Sequence, residues 1–113
     1  MKATPINLDG VLLLEPTLYR DERGFFLEHF EQKRYKELGI IENFVQDNHS
    51  RSKKNVLRGL HYTKTKSQSQ ILTVIRGTIF DVVVDIRQDS TTFGKWFGTI
   101  LSDSNTRQIY MPH

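Results

Sequence analysis

The run Thr78-Ile79-Phe80-Asp81-Val82-Val83-Val84-Asp85-Ile86-Arg87 is β-branched and aromatic almost throughout. Such side chains crowd the turns of a helix and pack well on a pleated surface, so the run reads as a strand covered on both faces. Similar runs recur along the chain. Gly10-Val11-Leu12-Leu13-Leu14-Glu15-Pro16 is apolar and closed by proline, and Phe25-Phe26-Leu27-Glu28-His29-Phe30 follows the charged turn Asp21-Glu22-Arg23-Gly24. Ile71-Leu72-Thr73-Val74-Ile75 ends at Arg76-Gly77, and Lys95-Trp96-Phe97-Gly98-Thr99-Ile100-Leu101 and Arg107-Gln108-Ile109-Tyr110-Met111 flank the turn Ser102-Asp103-Ser104-Asn105. Only residues 31–38 favour a helix, with Tyr35 and Leu38 at i,i+3 and Gly39 placed to end it. Short strands joined by turn-rich loops imply an all-β antiparallel sandwich or barrel with one short helix.

A length of 113 residues suits a single domain. With 37% hydrophobic and 26% charged residues, the chain has the composition of a folded protein. The net charge of +3 is spread among acids, apart from Arg51-Ser52-Lys53-Lys54 and Lys64-Thr65-Lys66. This balance suits a small anionic ligand and does not favour nucleic acid as a partner. The absence of cysteine excludes disulfides, thiolate metal sites and a cysteine nucleophile, and fits a cytoplasmic protein. No apolar run approaches membrane-spanning length, so no membrane partner is expected.

The chemistry centres on Asn55-Val56-Leu57-Arg58-Gly59-Leu60-His61-Tyr62, which reads as a buried strand. Alternation would send Arg58 and His61 to opposite faces, whereas a bulge at Gly59 would re-aim one onto the other's face. Arg58 is then an edge cation or a ligand contact, and His61 a hydrogen-bonded core histidine or a site residue. Glu28, on an aromatic face, needs either Arg23 across the turn or a ligand donor. Gln46 and Asn48, in Phe44-Val45-Gln46-Asp47-Asn48-His49-Ser50, share a face and offer amides to a ligand, or close a polar strand end. Asp81 and Asp85 share a face at i,i+4, with Arg58, Arg76 or Arg87 as partners, Arg87 being suited to Asp85. A metal-binding β-barrel would place a second histidine one residue beyond His61, where Thr63 stands, and no metal is expected.

Five ordered motifs together resemble the dTDP-4-dehydrorhamnose 3,5-epimerases. They are Asp21 to Glu28, Phe44 to Ser50, Asn55 to Tyr62, Phe80 to Arg87, and Thr92-Phe93-Gly94-Lys95-Trp96. The resemblance implies a cupin-type jelly roll, no cofactor or metal, and a homodimer exchanging N-terminal segments. It implies a dTDP-sugar substrate, with His61 as general base and Arg58 beside the sugar or diphosphate. It further implies nucleotide and diphosphate contacts from Arg23, Glu28, Gln46 and Asn48, in a pathway that supplies rhamnose for surface polysaccharide. Gln70 stands where the family typically carries an enolate-stabilising lysine, and its neutral amide would be a weaker donor. Relative to the family pattern, the single domain 1–113 is incomplete at its C-terminus, lacking the tyrosine acid and the carboxylate that orients the base. Two further readings stay open: a non-catalytic jelly-roll module that binds a nucleotide sugar or a protein partner, and a related one-carbon epimerase or ketone isomerase.

Overall fold

The computed structural model describes residues 1–113. Its strands are β1 (Lys2–Pro5), β2 (Leu12–Glu15), β3 (Leu18–Asp21), β4 (Gly24–Leu27), β5 (Gln70–Thr73), β6 (Thr78–Val84), β7 (Trp96–Ser102) and β8 (Gln108–Met111), with one helix, α1 (Gln32–Glu37). Every strand pairing is antiparallel. β1, β2, β8 and β5 form a sheet in that order, while β3–β4 and β6–β7 are separate hairpins. Pro5 lies in β1, the edge strand, where a missing N–H costs no ladder bond.

The four-stranded sheet is covered on both faces, and alternation along β8 decides which residue goes where. Ile109, opposite Leu13 and Leu72, belongs to a cluster with Leu8, Val11 and Leu101, against which Val83 and Phe97 of the β6–β7 hairpin pack. Tyr110, opposite Leu12 and Ile71, faces the other way into a cluster with Leu14, Tyr35 and Ile40. The helix thus seals one face and the hairpin the other.

α1 is short, and its ends carry most of its local stabilisation. The Glu31 carboxylate accepts bonds from the N–H groups of Lys33 and Arg34, at 3.0 and 2.9 Å. At the other end, Gly39 turns left-handed at φ +91°, donating to the Lys36 carbonyl, and Ile40 donates to that of Tyr35. Tyr35 and Ile40 then meet in the core, and the Tyr35 hydroxyl donates to the Gln108 side chain at 2.6 Å.

Beyond β6, the Asp85 carboxylate gathers the next turn. It accepts from the Arg87 guanidinium at 3.0 and 2.9 Å, from Ser90 Oγ at 2.5 Å and from Thr92 Oγ1 at 2.6 Å. These donors, with Arg87 foremost, hold its carboxyl well below the usual carboxylate range. Arg87 is the partner that the sequence suggests for Asp85.

Two expectations fail. β6 is covered on one face only, because Phe80, with Trp96 and Ile100 of β7, forms an exposed outer face at 64%, 61% and 51%. The strand expected over residues 55–62 is absent. Left-handed backbone at Asn55 and Gly59, φ 66° and 105°, breaks the extended path, and no edge of the sheet pairs with it.

Candidate functional site

Residues 44–69 connect α1 to β5 without a helix or strand and carry four of the seven candidate site residues. Gln46 Nε2 donates to Asn48 Oδ1 at 3.0 Å, so the two amides do lie together. Arg58 Nε donates to Ser52 Oγ at 2.8 Å, and its Nη2 to the Arg51 carbonyl at 3.3 Å. These contacts hold the guanidinium within its own loop instead of on a sheet edge. A Cβ on Gly59 would stand 3.3 Å from the His61 backbone nitrogen and 3.5 Å from its Nδ1. The imidazole therefore lies against a glycine surface, and His61 is exposed, not a core histidine. The close approach anticipated at Gly59 is present, although the bulged strand is not.

Three candidates sit on regular structure or beside it. Arg23, in the β3–β4 turn, pairs with Asp21 through Nε at 3.1 Å and Nη2 at 2.6 Å. The Arg23 guanidinium in turn lowers the Asp21 carboxyl from its ordinary value. Glu28 consequently does not find Arg23; it pairs instead with Arg34, one helical turn above, at 3.2 Å. Asp21 is two residues from Arg23 within one turn, and so wins that competition. Gln70 opens β5 opposite Met111, on the strand face of Leu72, and is exposed.

Two clefts flank the β3–β4 hairpin. One, of about 440 Å³, is lined by Tyr19, Arg20, Asp21, Arg23, Gly24 and the two phenylalanines that follow. The other, of about 340 Å³, runs between β4 and the end of β5 and includes His29 and Asp103. Arg23 contributes to the first, whereas Gln46, Asn48, Arg58 and His61 line neither. No three histidine, aspartate or glutamate side chains stand close enough together to hold a metal ion.

Two acidic groups carry more structure than the sequence suggests. Glu42 Oε1 accepts from the Tyr110 hydroxyl at 2.7 Å and from Ser69 Oγ at 3.2 Å. Burial, then the Glu42 contact, pushes the Tyr110 hydroxyl up to about 12, so it is a structural donor and not an acid for catalysis near neutral pH. Asp81, for which arginine partners were expected, has none, and its Oδ2 is buried without a hydrogen bond. The position opposite it on β7 is Thr99, not a cation, and this cross-strand register is hidden in the sequence.

The pattern of the dTDP-4-dehydrorhamnose 3,5-epimerases matches residues 5–113. The chain belongs to this family. It is 49% identical over 106 residues to the dTDP-4-dehydrorhamnose 3,5-epimerase of Methanothermobacter thermautotrophicus, covering 94% of this chain and 57% of that protein. The Pseudomonas aeruginosa enzyme of the same name is 47% identical over 113 residues, covering 99% and 62%. The chain thus spans about three fifths of the length of these relatives. Among solved structures, the dTDP-6-deoxy-D-glucose-3,5-epimerase of Legionella pneumophila, in complex with dTDP-4-keto-L-rhamnose, superposes with a TM-score of 0.94 at 52% identity. That match covers 98% of this chain and 60% of the other. The Bacillus anthracis enzyme, with TDP and PPi bound, gives 0.93 at 43%, covering 98% and 65%. The fold is the family's: an all-β jelly roll of the cupin type with one short helix.

Proposed function

We propose that this chain carries the base and much of the nucleotide-sugar site of a dTDP-4-dehydrorhamnose 3,5-epimerase, acting in dTDP-rhamnose supply. The observation that carries this reading is 52% identity, over nearly the whole chain, to an epimerase bound to dTDP-4-keto-L-rhamnose. In a 4-keto sugar, C3 and C5 both flank the carbonyl, which acidifies their protons, so one base can remove each in turn. His61 is that base: it titrates in the useful range and is exposed beside Gly59, where a ligand can reach it. Each enolate regains its proton on the opposite face of the ring, which inverts that carbon without any change in oxidation state.

Arg58 holds the sugar or diphosphate, which a planar guanidinium binds in fork geometry. Arg23, Glu28, Gln46 and Asn48 hold the nucleotide and diphosphate, and Gln70 donates a neutral hydrogen bond near the reacting carbonyl. The reaction calls for no cofactor, because the ketone itself delocalises the charge. We further propose a cytoplasmic homodimer, since the β3–β4 hairpin exposes Tyr19, Phe25 and Phe26, an apolar face that a second copy would cover.

The test is proton exchange followed by NMR, with dTDP-4-keto-6-deoxyglucose in deuterated water and a His61→Ala control. Deuterium should enter at C3 and C5 only when His61 is intact. Saturable binding without exchange would refute catalysis and leave a nucleotide-sugar binding module. Exchange at one carbon alone would identify a one-carbon epimerase.

A further inference from the structure

β6 carries a carboxyl that no other residue answers. Asp81 makes no hydrogen bond or ion pair within the protein, and its Oδ2 is buried. Glu42 also has one buried free oxygen, but its other oxygen is bonded to Tyr110 and Ser69. Asp81 has no such compensation, and burial alone pushes its carboxyl above the ordinary value. An unpaired acid in this position costs stability, so a purely structural role does not account for it.

Its direction is set by alternation along β6. Val83 packs against the cluster under the four-stranded sheet, so Asp81, two residues earlier, faces the same interior, while Phe80 and Val82 face out. Gln70 faces that interior too, because it alternates with Leu72 and Val74, which pack on the same cluster. The short connection between β5 and β6 also puts the two at one level. Gln70 precedes Thr73, the last residue of β5, by the same number of positions as Asp81 follows Thr78, the first of β6. Around them the interior presents Leu72 and Val74 from β5, Phe97 and Thr99 from β7, and Ile109 from β8, none of them ionisable.

We propose that Asp81 and Gln70 together contact the uncharged sugar of a nucleotide-sugar ligand, making Asp81 a specificity-determining residue of the site. The assignment rests on the sugar-nucleotide reading above. A carboxyl and an amide without a neighbouring cation suit hydroxyl and carbonyl groups and repel phosphate. The positively charged groups, Arg23 and Arg58, lie outside this interior, on a hairpin turn and in the long connection, where a diphosphate would be held. The ligand's charged and uncharged halves thus find matching surroundings.

The test compares dTDP with dTDP-4-keto-6-deoxyglucose by titration calorimetry in the parent chain, Asp81→Asn and Asp81→Val. Asp81→Val should weaken the sugar nucleotide about tenfold, the value of one lost polar contact, and leave dTDP unchanged. Asp81→Asn, which keeps hydrogen-bonding atoms and removes the buried charge, should fold at least as well and retain most of the sugar affinity. Equal losses for both ligands, or no loss for the sugar nucleotide, would overturn the assignment while leaving the functional reading intact. Failure of the parent chain to bind either ligand would overturn both. A measurement on the free protein checks the geometry: in Gln70→Lys, the Asp81 carboxyl should titrate at lower pH by NMR than in the parent chain. An unmoved titration would show that the two positions do not meet.

Discussion

Residues 44–69 and the four-stranded sheet draw on the same kinds of side chain and reach opposite states. Leu14, Leu101 and Ile109 are fully buried, whereas Val45 is 94% exposed, Leu57 90% and Leu60 72%. None of the 38 backbone–backbone hydrogen bonds involves residues 44–69. Apolar content therefore decides burial only where the backbone also finds a partner, because an extended segment cannot enter a core with its N–H and C=O groups unpaired. In the sheet, each strand supplies the next with hydrogen bonds and a matching face. In the connection neither is on offer, and the residues assigned to binding and proton transfer sit there. Site and stability are thus largely separate properties of this chain.

The most direct way to break that separation is to truncate one leucine-sized side chain in each region. Ile109→Ala should cost about 2–5 kcal/mol, since it empties the centre of the sheet, while Leu57→Ala should stay within about 0.5 kcal/mol. Urea denaturation reads both. A comparable loss at Leu57 would mean that the connection is packed in solution, as it would be against a second copy.

Next in size is Asp85, whose side chain is 2% exposed and holds the β6–β7 connection against the loop at Asp9, whose carbonyl accepts from Arg87 Nη2 at 2.6 Å. Asp85→Asn should cost about 3 kcal/mol, because Arg87 loses its charge partner in a buried network. Its folded value lies below the unfolded one, so the stabilisation is complete above about pH 4 and drains away as pH falls further. The variant should show a flatter decline in urea midpoint between pH 5 and 2, both pH values being those of the assay. Parallel profiles for parent and variant would assign the acid sensitivity to other carboxylates.

Tyr35 sharpens the comparison from the helix side. Its hydroxyl donates to the His29 carbonyl at 2.8 Å and to the Gln108 side chain, and burial pushes it up to about 12. Tyr35→Phe should cost about 1–2 kcal/mol, the price of leaving the Gln108 oxygen short of a donor. It should leave ligand affinity unchanged. A drop in affinity would show that α1 reaches the site through Glu28, which Arg34 holds from the same helix.

Local signals in the sequence carried the elements whose logic is local. Glu31 and Gly39 bracket the helix, Asp21 to Gly24 turns the first hairpin, and Ser102 to Asn105 turns the last. β1 and β3 escaped notice because Lys2-Ala3-Thr4-Pro5 and Leu18-Tyr19-Arg20-Asp21 mix polar and apolar residues and become strands only through their partners. The octapeptide around His61 failed in the opposite direction: its composition is that of a strand, but no edge receives it. Motif order made the site residues legible through their family resemblance. Their partners were not, since the pairings Asp21–Arg23 and Glu28–Arg34, and the isolation of Asp81, depend on competition and cross-strand register.

Gly59 offers the finest probe of the divide between site and stability, because it is strained locally and packed against nothing but its own histidine. At φ 105° an alanine is disfavoured by about 1 kcal/mol, and its methyl would meet the His61 nitrogen and ring at 3.3 and 3.5 Å. In the unpaired connection that strain can relax by local movement, since no ladder bond or core contact holds the backbone there. Gly59→Ala should therefore lower the urea midpoint by less than any variant above except Leu57→Ala. The same movement should displace the imidazole, seen as a shift of the His61 ring resonances, and reduce deuterium incorporation at C3 and C5 more than tenfold. If stability instead fell as far as in Ile109→Ala, Gly59 would belong to a packed strand, and the distinction between a stable sheet and a site-bearing connection would not hold. If the ring resonances and exchange both stayed unchanged, the approach of His61 to Gly59 would have no part in placing the base.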